Sequence, residues 1–220
     1  AGLDRLEPGG VLSLSGVTGS AHSFLAAQIR TKNPQCAVLI VTSDLKTQEL
    51  FHQDLETWLR PDEPKGKTTK RGKSPVAPVL FYPSWEILPH EDKLPHADVI
   101  SDRLETLMHL MEGPGTPVMV SSVESLMQRT YRAEDVRQRS RTIKIGDQVD
   151  PLDLVEWLED QGYDSEVQVN QKSELAMRGG IVDIFPPTSP WPIRIEFFGD
   201  EVESLRQFDP VSQISRDNIE

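Results

Sequence analysis

"GVTGSAHSFLAAQI" (residues 16–29) decides how the first half of the chain is read. Its glycines lead into a segment with apolar residues at helical spacing. That is the build of a phosphate-binding loop, in which backbone N–H groups at a helix start surround an anion. The pattern G-x-x-x-x-G-K-[ST] asks for Gly at 21 and Lys at 22. The chain has Ala21 and His22 there, followed by a fitting Ser23, with Gly16 and Gly19 in place. A Cβ at 21 strains any backbone of positive φ, and a neutral imidazole supplies no fixed charge for phosphate oxygens. No strong acidic strand end for Mg²⁺ follows in this half. The nearest is "VTSD", whose Asp44 is expected to cap the next helix instead. The loop reads as a scaffold that has lost its ATP chemistry, with weak anion binding at the helix start left open.

Working outward, "GGVLSLSG" (9–16) reads as a buried strand and 21–32 as a helix. "AVLIVT" (37–42) is a second strand and 45–59 a second helix. "PVLFYP" (78–83), a helix over 98–111 and "PVMVSS" (117–122) follow. Strands alternating with helices imply an α/β fold built on a parallel sheet with flanking helices. Between the second helix and the third strand, residues 61–78 hold five lysines and arginines among prolines and glycines. They read as a solvated basic loop, with a weak nucleic-acid contact as the alternative.

Near residue 131 the pattern changes. "RTIKIGD" (141–147) reads as a strand and "PLDLVEWLEDQG" as a short helix with Pro151 near its start. A meander follows at about 166–171, 175–185, 192–198 and 201–208. This is a second, α+β domain with an antiparallel sheet over 131–210. Residues 211–220 have no evident partner element and read as a linker or the start of a further segment. The first domain is placed at 1–130.

Composition bounds the function. The chain has 220 residues, 37% hydrophobic and 26% charged, with a net charge of -12. Such a balance fits a globular protein and disfavours one built to grip DNA, which needs clustered cations. No apolar run reaches the ~20 residues of a membrane span, and a reducing cytoplasm is the expected setting. The single cysteine, Cys36, excludes an internal disulfide and is expected in the core. The histidines lack metal-ligand spacing, so neither a metal nor a catalytic site is expected.

The most distinctive run is "RGGIVDIFPPTSPWPIRIEFFGDEVESLRQFD" (178–209). Gly199-Asp200 reads as a hairpin turn, which leaves Glu196, Asp200, Glu201 and Glu203 as exposed carboxylates. Strand alternation points Ile193, Ile195 and Phe197 one way and Arg194, Glu196 and Phe198 the other. The second set places an arginine and an aromatic on the outer face, and Arg178 lies near it. Alternation alone leaves open an interaction surface or a solvated sheet face.

Three stretches, "SWEILPHEDKLPHADVISDRLETL" (84–107), "VESLMQR" (123–129) and the run at 178–209, resemble the N-terminal UvrB-like module of the bacterial transcription-repair coupling factors (Mfd). The phosphate loop adds to the resemblance, since UvrB has an intact one. Residues 84–100 are also too short to hold the DNA-gripping hairpin of UvrB. The resemblance implies a helicase-like domain 1a followed by a domain 2 that binds UvrA, with no ATP hydrolysis and no cofactor in these residues. It assigns the UvrA contacts to Arg178, Arg194 and Phe198, all expected at the surface, so that replacing either arginine leaves the fold intact. It implies that the chain is a fragment of a DNA translocase, whose contacts to RNA polymerase and DNA lie elsewhere. The alternative is a divergent UvrB-like helicase fragment that retains nucleotide or DNA binding.

Overall fold

The computed structural model describes residues 9–60, 79–85, 87, 95–113 and 115–219. The basic loop at 61–78 lies outside them, as do residues 88–94 of the "SWEILPHEDKLPH" stretch. The chain forms two compact units, Ala1–Pro95 with Thr106–Arg129, and His96–Glu105 with Thr130–Glu220.

The first unit begins with helix α1 (Ala21–Lys32), strand β1 (Val38–Thr42), helix α2 (Leu45–Leu59) and strand β2 (Val79–Tyr82). Helix α3 (Ala97–Glu112) gives its second part to this unit, followed by strand β3 (Val118–Ser122) and helix α4 (Val123–Met127). The sheet is parallel, in the order β1-β3-β2. Asp44 caps α2 as expected, its side chain accepting from the Thr47 N–H. Leu55 of α2 and Ala26 and Ala27 of α1 are buried with Val118 and Val120 of β3. Each large aliphatic side chain so buried contributes about 1.5–3 kcal/mol.

One expected strand is missing. Residues 11–15 form none, and Val11 is 94% exposed. An apolar extended segment becomes a strand only where a sheet edge accepts its backbone bonds. Here β3 is flanked by β1 and β2, and 11–15 pairs with neither outer edge. Cys36 is likewise exposed rather than in the core. It stands two residues before β1, in the turn after α1.

The second unit contains helix α5 (Ala133–Gln138), which its polar sequence did not suggest, and helix α6 (Pro151–Asp160). Asp150 caps α6 by accepting from the Leu152 and Asp153 N–H groups, and Pro151 stands in the first turn. Six strands follow: β4 (Asp164–Ser165), β5 (Glu174–Arg178), β6 (Ile181–Ile184), β7 (Ile193–Phe198), β8 (Glu201–Phe208) and β9 (Ser215–Asn218). They lie in sequence order in one sheet. It is mixed rather than antiparallel throughout, because β4 runs parallel to β5.

Three further differences have local causes. Residues 166–171 form no strand: the Asn170 and Gln171 N–H groups donate to the Glu174 carboxylate and bend the chain. Residues 141–147 turn instead of laddering, and only single bonds, such as Gly146 N–H to Val202 O, tie them to β8. The segment 211–220, read as a linker, supplies β9, which pairs with β8 at Arg206 and Phe208.

One face of this sheet carries the main core, with Leu154 and Leu158 of α6 buried with Leu175, Val182, Ile195, Phe197 and Val202. The opposite face has a smaller cluster, Val169, Ala176, Phe185 and Phe208. The single strand expected over 175–185 is divided into β5 and β6, and the turn between them demands glycine twice over. Gly179 has φ +61°, and a Cβ on Gly180 would come 2.9 Å from the Phe197 carbonyl oxygen.

Candidate functional site

The loop at 16–23 is closed upon itself. Gly16 and Gly19 both adopt positive φ, as a tight turn requires. Ala21 does not: it is the first residue of α1, so its Cβ causes no strain, contrary to expectation. The N–H groups of Ala21 and His22 already donate to the Thr18 and Gly19 carbonyls, at 3.3 and 3.2 Å. His22 Nδ1 lies 3.1 Å from the Gly19 carbonyl oxygen, a contact in which the ring N–H donates. Ser23 is 1% exposed, and its Oγ sits 2.8 Å from Ser20 O and 3.2 Å from Asp54 Oδ2. The Ala21 and His22 N–H groups and the Ser23 hydroxyl are thus occupied within the turn and the α1–α2 pair.

In the second unit, the face of the sheet away from α6 brings the three expected residues onto one surface. Arg178 ends β5, and Arg194 and Phe198 stand on β7. Phe198 is 79% exposed. Its neighbour Phe197 is buried, so the alternation read from the sequence holds along β7. A bulge in the β7–β8 pairing leaves it intact, because Glu203 of β8 is the extra residue. Gly199 and Asp200 make the hairpin turn, as expected.

Arg194 departs from expectation. Its side chain is only 19% exposed. Its Nε and Nη2 each donate to one oxygen of Asp183, both at 2.7 Å, a bidentate fork. The guanidinium also stands 4.6 Å from the centre of the Phe208 ring, a cation–π arrangement. The hydrogen bond to Asp183 raises the Arg194 pKa from its ordinary value, with burial opposing the shift. Arg194 is therefore a fixed member of the sheet, because a strand facing a small second core buries part of its outer face too.

Asp183 was missed. It is 2% exposed, in β6 directly opposite Arg194. Arg178 sits one diagonal step away, its Nη2 3.8 Å from Asp183 Oδ2, with its side chain 56% exposed. The signal was present: "IVDIF" sets one acid inside an apolar strand, and a buried carboxylate requires a cation. Glu196 is a second correction. It is not a free exposed carboxylate but accepts from Ser204 Oγ, at 2.8 Å, and from Arg206. Asp200, Glu201 and Glu203 are exposed as expected.

Among the described residues no group of His, Cys, Asp and Glu is placed to hold a metal ion, and no helix is long and apolar enough to cross a membrane. An exposed aromatic, a half-exposed guanidinium and the partly exposed Ile181 share a surface whose polar neighbours are paired.

Comparison with known proteins agrees with the resemblance seen in the motifs. Residues 142–220 match the family described as the UvrB interaction domain. The chain is 28% identical over 217 residues to the transcription-repair-coupling factor of Myxococcus xanthus, covering 99% of this chain and 17% of that protein. It is 34% identical over 172 residues to the factor of Haemophilus influenzae, covering 76% of this chain and 15% of that protein. With the factor of Escherichia coli it shares 31% identity over 207 residues, covering 94% and 16%. The chain thus spans 15 to 17% of the length of these curated relatives.

Proposed function

Taking the chain as a UvrB-like module of the transcription-repair-coupling-factor family, with a UvrB interaction domain at 142–220, we propose that it recruits UvrA without itself hydrolysing ATP. In this reading it links RNA polymerase stalled at a lesion to excision repair. The contacts to polymerase and DNA, and the ATP-driven motor, belong to parts of the parent outside these residues.

The observation that carries the reading is the sheet face with Arg178, Arg194 and Phe198 on one side. An aromatic left 79% exposed on the same face as two guanidiniums has the composition of an interface hot spot. The closed turn at 16–23 supports the absence of ATP chemistry, since Ser23 is committed to Ser20 and Asp54. The missing Lys at 22 supports it independently.

A calorimetric titration of the chain with purified bacterial UvrA tests the proposal, run beside Arg178→Ala and Phe198→Ala. Binding by the parent chain and its loss in the variants is the expected result. A folded chain that ignores UvrA overturns it. Titration with MgATP separates the adaptor from a residual helicase, because only the latter requires Mg²⁺-dependent nucleotide binding.

A further inference from the structure

The geometry points to Asp183 as a positioning residue of the binding face: its buried carboxylate holds the Arg194 guanidinium over Phe208 and sets Arg178 beside it. The face then presents its two cations at a defined spacing. This inference rests on the reading of the face as the surface that meets UvrA.

Asp183 is 2% exposed on the face opposite the main core, in register with the buried Ala176 of β5. A carboxylate in such a place is costly unless paired, and apolar side chains often serve stability equally well. Arg194 alone satisfies the need, since its fork engages both carboxylate oxygens. Arg178 is therefore in excess: two guanidiniums share one carboxylate, and the surplus charge resides on the half-exposed Arg178. The neighbouring Glu196–Arg206 pair has no such surplus. On a chain of net charge -12, Arg178 is thus a half-exposed cation suited to a carboxylate of the partner, on a face where the exposed Glu201 stands opposite Phe198.

The hold on Arg194 has a second support. Gln213 Oε1 accepts from Arg194 Nη2 at 3.3 Å. Gln213 itself has φ +60°, one of two non-glycine residues among those described with a positive φ. A side-chain residue kept in that region is held there by its surroundings, here by hydrogen bonds that include Gln213 N–H to Asp209 O at 2.7 Å. With Nε and Nη2 occupied and the guanidinium set over the Phe208 ring, Nη1 is the Arg194 nitrogen left for a partner. A guanidinium fixed in this way loses little rotamer freedom on binding.

The test is Asp183→Asn in the 220-residue chain, an amide of the same shape without the charge. Two measurements are made. The first follows the Arg194 Nε–H signal by NMR, assigned with Arg194→Lys. Its exchange with water is expected to quicken at least tenfold in Asp183→Asn. The second is titration with UvrA. Asp183→Asn is expected to weaken binding about tenfold, and by less than twofold when Arg194→Lys is already present. That coupling marks action through the arginine, which a general structural defect would not produce.

Unchanged Nε–H exchange overturns the inference, as does undiminished UvrA binding by Asp183→Asn. An equal loss in both backgrounds overturns it too. If the parent chain does not bind UvrA, the reading of the partner fails, and the NMR measurement alone decides whether Asp183 holds the arginine. Should Asp183→Asn not fold, Arg194→Lys cuts the same fork from the other side while keeping the charge. Wild-type affinity in that variant overturns the inference.

Discussion

Ser23 in the loop and Asp183 in the sheet are buried to nearly the same degree, 1% and 2% exposed. The partners of Ser23, the Ser20 carbonyl and Asp54, lie within α1, its cap and α2, so its polarity is spent inside the unit. Asp183 faces Arg194, which is nearly covered, and Arg178, which is more than half exposed. Its charge therefore shapes what the surface offers. A buried polar group is a sign of function only when its network reaches a side chain that solvent or a partner can touch.

The largest expected effect breaks the sheet side of this comparison. Arg194→Ala strips a buried carboxylate of its main cation, a change that costs roughly 3–5 kcal/mol where no other cation takes over. Urea denaturation of the chain measures it, and a loss below about 1 kcal/mol would show that Arg178 alone suffices. Phe198→Ala sharpens the contrast. UvrA binding should weaken by about 1–3 kcal/mol, while the urea midpoint moves by no more than about 0.5 kcal/mol in stability. On the loop side, Ser23→Ala removes one buried hydrogen-bonding group and should cost about 1 kcal/mol. Restoring the motif with Ala21→Gly and His22→Lys should still give no MgATP binding by calorimetry, because the Ser23 hydroxyl remains engaged with Ser20 and Asp54.

The smallest effect concerns acid. The Asp44 pKa is lowered by hydrogen bonds from the Ser43 hydroxyl and the Thr47 backbone. That of Asp209 is lowered first by the Ser212 backbone N–H. A depressed folded pKa adds stability above the unfolded value, near pH 4 for an aspartate. That stability is lost as pH falls through the folded value. Both contributions should be constant at neutral pH and fade below about pH 4, with Asp44→Asn flattening the first unit's share and Asp209→Asn the second's. A melting temperature with the same acid dependence in those variants would refute the assignment.

The helices α1 and α2 stood in the sequence residue for residue, because apolar spacing and, for α2, the Asp44 cap are local. The β7–β8 hairpin was legible for the same reason: Gly199-Asp200 marks the turn, and alternation sorts Phe197 from Phe198. Elements that depend on a remote neighbour were not legible. Residues 11–15 have a strand's composition but pair with neither outer edge of the β1-β3-β2 sheet, whereas 215–218 are polar throughout and become a strand by pairing with β8.

The site divides along the same line. Which residues share the outer face of β7 was readable from the residue order alone, since side-chain direction follows from the two-residue period. So was the loop's lack of a lysine, which no folding restores. That Arg194 is held and Phe198 is exposed follows from the folded chain. That outcome depends on Asp183 standing one strand away in register, on Phe208 beneath the guanidinium and on Gln213 beside it. Burial and charge pairing are properties of neighbours that the chain brings together from 11 to 19 positions away, and no local pattern encodes them.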